Sequence, residues 1–157
     1  MKELSEYRRN LIEKLAGAAR DFRAACLAIT DAYAPWGAGE WNAHQVAVHT
    51  RDIDKLVYGL RSRRTAEEEN PEFRSFDGDE YMAEHYDAGE SLDGLLNGFV
   101  ENVEALTNIL RALPDEAWAR ESRHATLGSG FTLQTWVERN LAHIEEHMEI
   151  MKKANSL

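Results

Sequence analysis

The chain of 157 residues carries a single cysteine, Cys26. No intrachain disulfide is possible, and the fold has to stand on its apolar core in a reducing compartment. Long apolar runs are missing as well. Nothing approaches the roughly 20 residues of a membrane span, and the opening MKELSEYRRN has no apolar stretch of the signal-peptide kind. The expectation is a soluble, cytoplasmic protein with no membrane partner. Basic residues are scarce: 18 Lys and Arg face 28 Asp and Glu, for a net charge of -10. Such a surface repels phosphate backbones and excludes the basic stripe of a nucleic-acid binder. The one basic cluster, Arg61-Ser62-Arg63-Arg64, runs straight into Glu67-Glu68-Glu69 and reads as the cation-favouring end of a helix. Sustained period-2 alternation is absent too, which argues against a sheet, and there are no repeats or low-complexity tracts.

What is present is helical periodicity. The first pattern, from about Leu4 to Ile29, places Leu4, Tyr7, Leu11, Leu15, Ala18, Phe22, Ala25 and Ile29 on one stripe, with Cys26 at its border. The second opens at Asn42, an N-cap with Gln45 as its capping-box partner and Trp41 and Val46 as a hydrophobic staple. Its stripe is Val46, His49, Ile53, Leu56, Val57 and Leu60. The third runs from Ser91 to Leu113, ahead of Pro114, on Leu92, Leu95, Phe99, Val103, Leu106, Ile109 and Leu110. The fourth follows Gly128-Ser129-Gly130, capped by Thr132 and stapled by Phe131 and Trp136. It buries Trp136, Val137, Asn140, Leu141, Ile144, His147, Met148 and Met151. Four amphipathic helices in 157 residues give an all-α fold, one four-helix bundle domain over residues 1–157. The connection from Thr65 to Glu90, with a short helix near Asp79 to Tyr86, is long enough to cross the bundle.

Three of the six histidines fall on or beside core stripes: His49, His143 and His147. His143 and His147 are four apart, hence on one helix face. An unsatisfied polar group in an apolar core costs about 1–3 kcal/mol. Three imidazoles aimed inward therefore want a common partner, and a divalent metal is one. Periodicity alone leaves both a metal site and three separately hydrogen-bonded core histidines open. His44 is turned off the face of His49, His85 lies in the crossover and His124 in a loop. His143-Ile144-Glu145-Glu146-His147 also matches the inverted zincin pattern. Only ten residues follow His147, however, and Glu145 and Glu146 read as solvated surface.

The segment Gly39-Glu40-Trp41-Asn42-Ala43-His44-Gln45-Val46-Ala47-Val48-His49-Thr50-Arg51-Asp52 resembles the helix start of the DinB/YfiT-like superfamily. Ala142-His143-Ile144-Glu145-Glu146-His147 is similar to the family's C-terminal H-x-x-x-H. Leu113-Pro114-Asp115-Glu116-Ala117-Trp118 and Gly128-Ser129-Gly130-Phe131-Thr132-Leu133 look like further landmarks. Asn42 and Gln45 depart from the usual Ser or Thr cap and its Glu, which leaves no carboxylate at position 45. The resemblance implies an up-down-down-up four-helix bundle with long crossover connections, and His49, His143 and His147 as ligands of one divalent ion, zinc or nickel. It also implies a small-molecule substrate, in some members alongside a low-molecular-weight thiol, and a homodimer. Family activities include thiol-cofactor S-transfer, maleylpyruvate isomerisation and amide or ring-opening hydrolysis. The family name reflects DNA-damage induction and not DNA binding.

The sequence therefore supports a metal-dependent hydrolase or thiol transferase, with a non-catalytic metal-binding or structural bundle as the alternative. Asp52, one turn beyond His49, is the candidate base or ligand-orienting carboxylate. Asn140, Tyr86 and Trp136 are placed near the site, Trp136 as core. A fourth protein ligand, from His44, His85 or a carboxylate, would close the coordination sphere and favour the structural alternative.

Overall fold

A computed structural model describes residues 2–155. Helix α1 spans Lys2–Leu27, α2 Ala43–Ile53, α3 Gly59–Glu67, α4 Gly78–His85, α5 Leu92–Ala112 and α6 Leu133–Asn155. Between α2 and α3 the backbone does not break. Asp54–Tyr58 winds as a π-helical turn, so α2 and α3 are one long helix with a wide turn in its middle. Two sequence signals start the helices where expected. The Asn42 side chain accepts from the Gln45 backbone N–H at 2.9 Å, and the Gln45 side chain accepts from the Asn42 N–H at 2.9 Å. Thr132 Oγ1 accepts from the Thr135 N–H at 3.2 Å, while Phe131 stacks on Trp136 at 5.0 Å between ring centroids.

Side-chain bonds fix the directions. Arg8 and Tyr7 of α1 reach Gln134 and Glu138 at the start of α6, and Asn155 at its end reaches Ala25, so α1 and α6 run parallel. Glu13 pairs with Arg111 and Arg23 with Asn97, so α5 runs the other way. Asp54 meets Asn140 while His49 meets His143 and His147, so α2–α3 also opposes α6. This is up-down-down-up, with α1 and α2–α3 on opposite sides of a ring and α5 and α6 between them. The long Thr65–Glu90 connection is what permits two consecutive parallel helices. No helix among the described residues is long and apolar enough to cross a membrane.

The core is built from α1, α5 and α6, with Val46, Ala47 and Val48 of α2 packed into it. Leu15, Ala19, Phe22, Phe99, Val103, Leu133, Val137 and Ile144 are fully buried. Phe22 meets Phe99 edge to face at 5.6 Å, the arrangement the ring quadrupole favours. Cys26 is buried with them, its thiol pushed up to about 12 by desolvation, so it is an inert packing residue. The stripe of α1 starts later than its periodicity suggests. Leu4 and Tyr7 are exposed and burial begins at Leu11, with Tyr7 donating its hydroxyl to Glu138 at the bundle surface.

One expectation fails outright. Three short strands, β1 (Glu72–Phe73), β2 (Glu121–His124) and β3 (Gly128–Thr132), form a small sheet beside the bundle. β1 pairs parallel to β2, and β2 pairs antiparallel to β3 with a bulge at Ser122/Arg123. Strands of two to five residues are too short to display a period. His124, read as a loop residue, is the buried last residue of β2. The sheet is tied to the bundle at Trp136, whose indole N–H donates to Ser122 Oγ at 2.7 Å. In turn, Ser122 donates to the Phe131 carbonyl at 2.8 Å.

The π turn buries Asp54 to 2 % exposure and aims it at Asn140, whose amide donates to it at 3.2 Å. Burial pushes the Asp54 carboxyl up to about 7, against the opposing pull of Asn140 and Arg63. The folded state then holds a proton that the unfolded chain releases near 3.8. A raised carboxyl contributes stability below its unfolded pKa and loses it as pH rises through the folded one. Asp54→Asn is therefore expected to gain stability relative to wild type as pH rises from about 4 to about 7, with no further change above. Urea midpoints of both proteins across that range check it. The difference between them isolates Asp54 from the histidines, and a flat difference would refute the assignment.

Candidate metal centre

His49 of α2 and His143 and His147 of α6 form a cluster whose ligand nitrogens all lie within 4.8 Å of one another. The antiparallel crossing of α2 over α6 brings them together, and the Asn42 box sets the rotation at which α2 presents His49. The two Nε2 atoms of His143 and His147 are 2.9 Å apart. The His49 ring sits 5.4 Å from the His143 ring and 5.0 Å from the His147 ring, centroid to centroid. Trp41 packs on His49 at 4.8 Å and Tyr58 on His143 at 5.5 Å.

All three rings are half-buried, and desolvation disfavours their charged forms. His49 is lowered to about 4 by burial and then by His147, with Asp79, Asp52 and Glu146 pulling the other way. His143 is lowered to about 3 by burial and by both partner histidines, and His147 is lowered by burial. At neutral pH these are neutral imidazoles, the form that offers a lone pair to a metal. Without an ion the arrangement is poorly satisfied. Two facing Nε2 atoms share at most one proton between them, and the Nδ1 atoms of His143 and His147 are buried without a hydrogen-bond partner. A borderline cation accepting all three lone pairs suits this donor set of three nitrogens and no thiolate. The residues fit a divalent transition ion.

Among the described residues no fourth side chain closes the cluster. His44 is fully buried but engaged elsewhere. One ring nitrogen lies 2.8 Å from the Glu90 carbonyl and must donate to it. The other accepts from the Tyr86 hydroxyl at 2.6 Å. His85 is exposed and stacks on Tyr81 at 4.1 Å. Asp52, the candidate base, accepts instead from Arg51 Nε at 2.7 Å, and Arg51 also forks onto Glu90 at 2.6 and 2.9 Å. Its charge reaches His49, but its hydrogen bond goes to the guanidinium. Asn140 serves Asp54, Trp136 is core, and Glu145 and Glu146 are exposed as expected.

The cluster stands between two cavities. One, of about 820 Å³, is walled by Trp36, Trp41, Met82, Tyr86 and His147. The other, of about 650 Å³, is lined by His49, His143, Tyr58, Arg61 and Arg139. Asp79, at the start of α4, borders both. Sequence reasoning placed Tyr86 correctly but overlooked Asp79, Arg61 and Arg139. Trp41 carried a signal, since it heads the capped helix that bears His49.

A comparison with curated proteins finds no match. Among solved structures, the chain is similar to YfiT from Bacillus subtilis, at 24% identity and a TM-score of 0.83 over 95% of this chain and 86% of that one. That protein is described as a probable metal-dependent hydrolase with an unusual four-helix bundle topology. A family model for the DinB superfamily matches residues 9–151, which include all three histidines and the greater part of every helix of the bundle. The chain belongs to the DinB superfamily.

Proposed function

We propose that the protein is a divalent-metal-dependent enzyme that acts on a small molecule, by hydrolysis or by transfer to a low-molecular-weight thiol. The observation that carries this is the cluster itself: three neutral imidazoles, no fourth protein ligand among the described residues, and a cavity on either side. A bound zinc or nickel ion would supply Lewis acidity and lower the pKa of a water or thiol at its open position. The chain's own residues supply the rest. His49, His143 and His147 hold the ion. Trp36, Trp41 and Met82 give apolar contact to substrate, and Asp79 is the carboxylate placed to accept a proton on either side. Asp52, fixed by Arg51, adds negative charge behind His49 and helps hold a cation there. Catalysis, rather than a structural role, is favoured by the missing fourth protein ligand among the described residues and by the cavities beside the cluster. A cytoplasmic location is consistent with the lone buried thiol. Exposed Leu4 and Tyr7 offer apolar surface for a homodimer, and light scattering at high micromolar concentration would show it, a monomer counting against.

Elemental analysis of untagged protein should find close to one divalent ion per chain, lost in His143→Ala. Wild-type protein that holds no ion even after reconstitution would remove the basis of the proposal. Chelation should lower the melting temperature modestly by ligand linkage and leave helical circular dichroism intact. Unfolding on chelation at room temperature would point to a structural metal instead. The reaction type is read with the cobalt-substituted protein: a thiolate-to-cobalt band on adding cysteine favours S-transfer, and its absence favours hydrolysis.

The α4 end of the crossover holds His49 in place. A Cβ on Gly78 would lie 3.1 Å from His49 Cε1 and 3.4 Å from Ile53 Cδ1. Gly78→Ala should therefore push the His49 ring and weaken metal binding by about 10-fold, the lower end of the cost of losing support around a ligand. Competition with a chromogenic chelator measures it, and unchanged affinity would show that the contact is slack.

A further inference from the structure

In a protein of net charge -10, only four of the thirteen guanidinium groups have a carboxylate within 4 Å among the described residues. Arg51, Arg64, Arg111 and Arg123 are paired. Arg61 and Arg139 have no carboxylate within 4 Å among the described residues, and both line the 650 Å³ cavity that also exposes His49 and His143. Arg61 is 8% exposed. Its one hydrogen bond runs from Nη2 to the Arg74 carbonyl at 2.9 Å, and its guanidinium lies over Trp136 at 4.9 Å and Phe73 at 5.7 Å. Arg139, at the exposed rim, lies over the same Trp136 at 5.7 Å and over Phe131 at 5.2 Å. Two like charges therefore share one indole. A guanidinium has five N–H donors in a fixed fork, and burying it without a counter-ion is costly. Desolvation and the neighbouring Arg139 both press on the charge of Arg61. His124 behind them is likewise held below its usual range, by burial and by both arginines.

The acidic groups of the cavity lie at its other end. Asp77 caps α4 by accepting from the Asp79 and Glu80 N–H groups at 3.1 and 3.0 Å, and Asp79 faces His49. The cavity is thus polarised, cationic along α3 and α6 and acidic at α4, with two of the three histidines between. Aromatic stacking orients both guanidiniums and leaves their edges open to a planar partner. A carboxylate matches that fork in shape and charge.

We propose that Arg61 and Arg139 form a subsite for the carboxylate of a small substrate, whose reacting group is thereby presented to His49 and His143. The proposal deepens the metal-enzyme reading and rests on it. It names the substrate class as a small organic acid whose carboxylate is a few bonds from the group attacked.

The test uses zinc-loaded protein and two hydroxamates of equal length, butanehydroxamate and the monohydroxamate of succinate. Each brings the same metal-seeking head, and only the second adds a carboxylate. Calorimetry should find the succinate derivative bound more tightly by about 10-fold or more, the worth of one charge-assisted hydrogen bond. Arg139→Gln and Arg61→Lys should each reduce that preference while zinc content and butanehydroxamate binding stay as in wild type. Should Arg61→Lys fail to fold, Arg139→Gln decides alone. Equal binding of the two hydroxamates would overturn the carboxylate subsite and leave the metal reading standing, as would a preference that survives both substitutions. Failure of either compound to bind protein that demonstrably holds zinc would sink the metal-enzyme reading, and the subsite with it.

Discussion

Three imidazoles on the α2–α6 seam have to stay neutral and still find partners, and much of the structure follows from that demand. Burial keeps them neutral, with His49 near 4 and His143 near 3. The same burial strands two ring nitrogens without partners. A cation between the facing Nε2 atoms would take their lone pairs, which one shared proton cannot do for both. For the three nitrogens to converge, two helices distant in sequence must cross at a fixed rotation. The Asn42 box sets one, and the Thr132 cap with its Phe131–Trp136 staple sets the other. Caps of this kind contribute about 1 kcal/mol each to stability, a small sum beside the core. Their larger consequence here is angular. A helix that starts one residue late turns its histidines by about 100°.

The bundle separates what holds it together from what it presents. Leu15, Phe22, Phe99 and Val103 fill the part of the core contributed by α1 and α5, the two bundle helices that carry no metal ligand. Truncating such a residue would cost about 2–5 kcal/mol, an appreciable part of the 5–15 kcal/mol available to a domain, without touching the cluster. The crossover does the opposite. α4 adds little to the core beyond Met82, yet Gly78 backs onto His49, Asp79 borders both cavities, and Tyr86 locks His44. The long connection that the topology requires is also the wall of the site.

What the sequence made legible was what regular helices carry. The capping box, the staple and the three histidines all lie on uninterrupted α-helix, where spacing converts directly into direction. The up-down-down-up order followed from family resemblance, and the structure gives its physical reason in the Thr65–Glu90 crossing. Three features escaped. Leu4 and Tyr7 keep the right spacing but stay exposed, Tyr7 bonding the Glu138 carboxylate instead of entering the core, and periodicity carries no information about that. The sheet escaped because β1 has only two residues and β3 reads Gly-Ser-Gly-Phe-Thr, so its pairing rests on tertiary contacts rather than on an alternating pattern. Arg61 was read only as part of a cation-favouring helix end, and its burial against Trp136 and Phe73 carried no signal in the pattern.

The π turn connects the two halves of the site. On a regular helix twelve residues separate His49 from Arg61 by about 120° of rotation, which would put them on different faces. One residue inserted by a π turn takes back about 100°, leaving about 20°, and the two side chains then line one cavity. The insertion has a local requirement. The Gly59 N–H donates to the Asp54 carbonyl, and a Cβ at Gly59 would sit 2.4 Å from that oxygen, so only glycine closes the turn without displacement. It also has a cost, since Asp54 is driven into the interior and keeps its proton to near neutrality. The wide turn thus carries a buried carboxyl into the bundle. Its effect is to bring a buried guanidinium to the same cavity as a metal-competent histidine, and that is the arrangement a substrate with both an anionic end and a reactive centre requires.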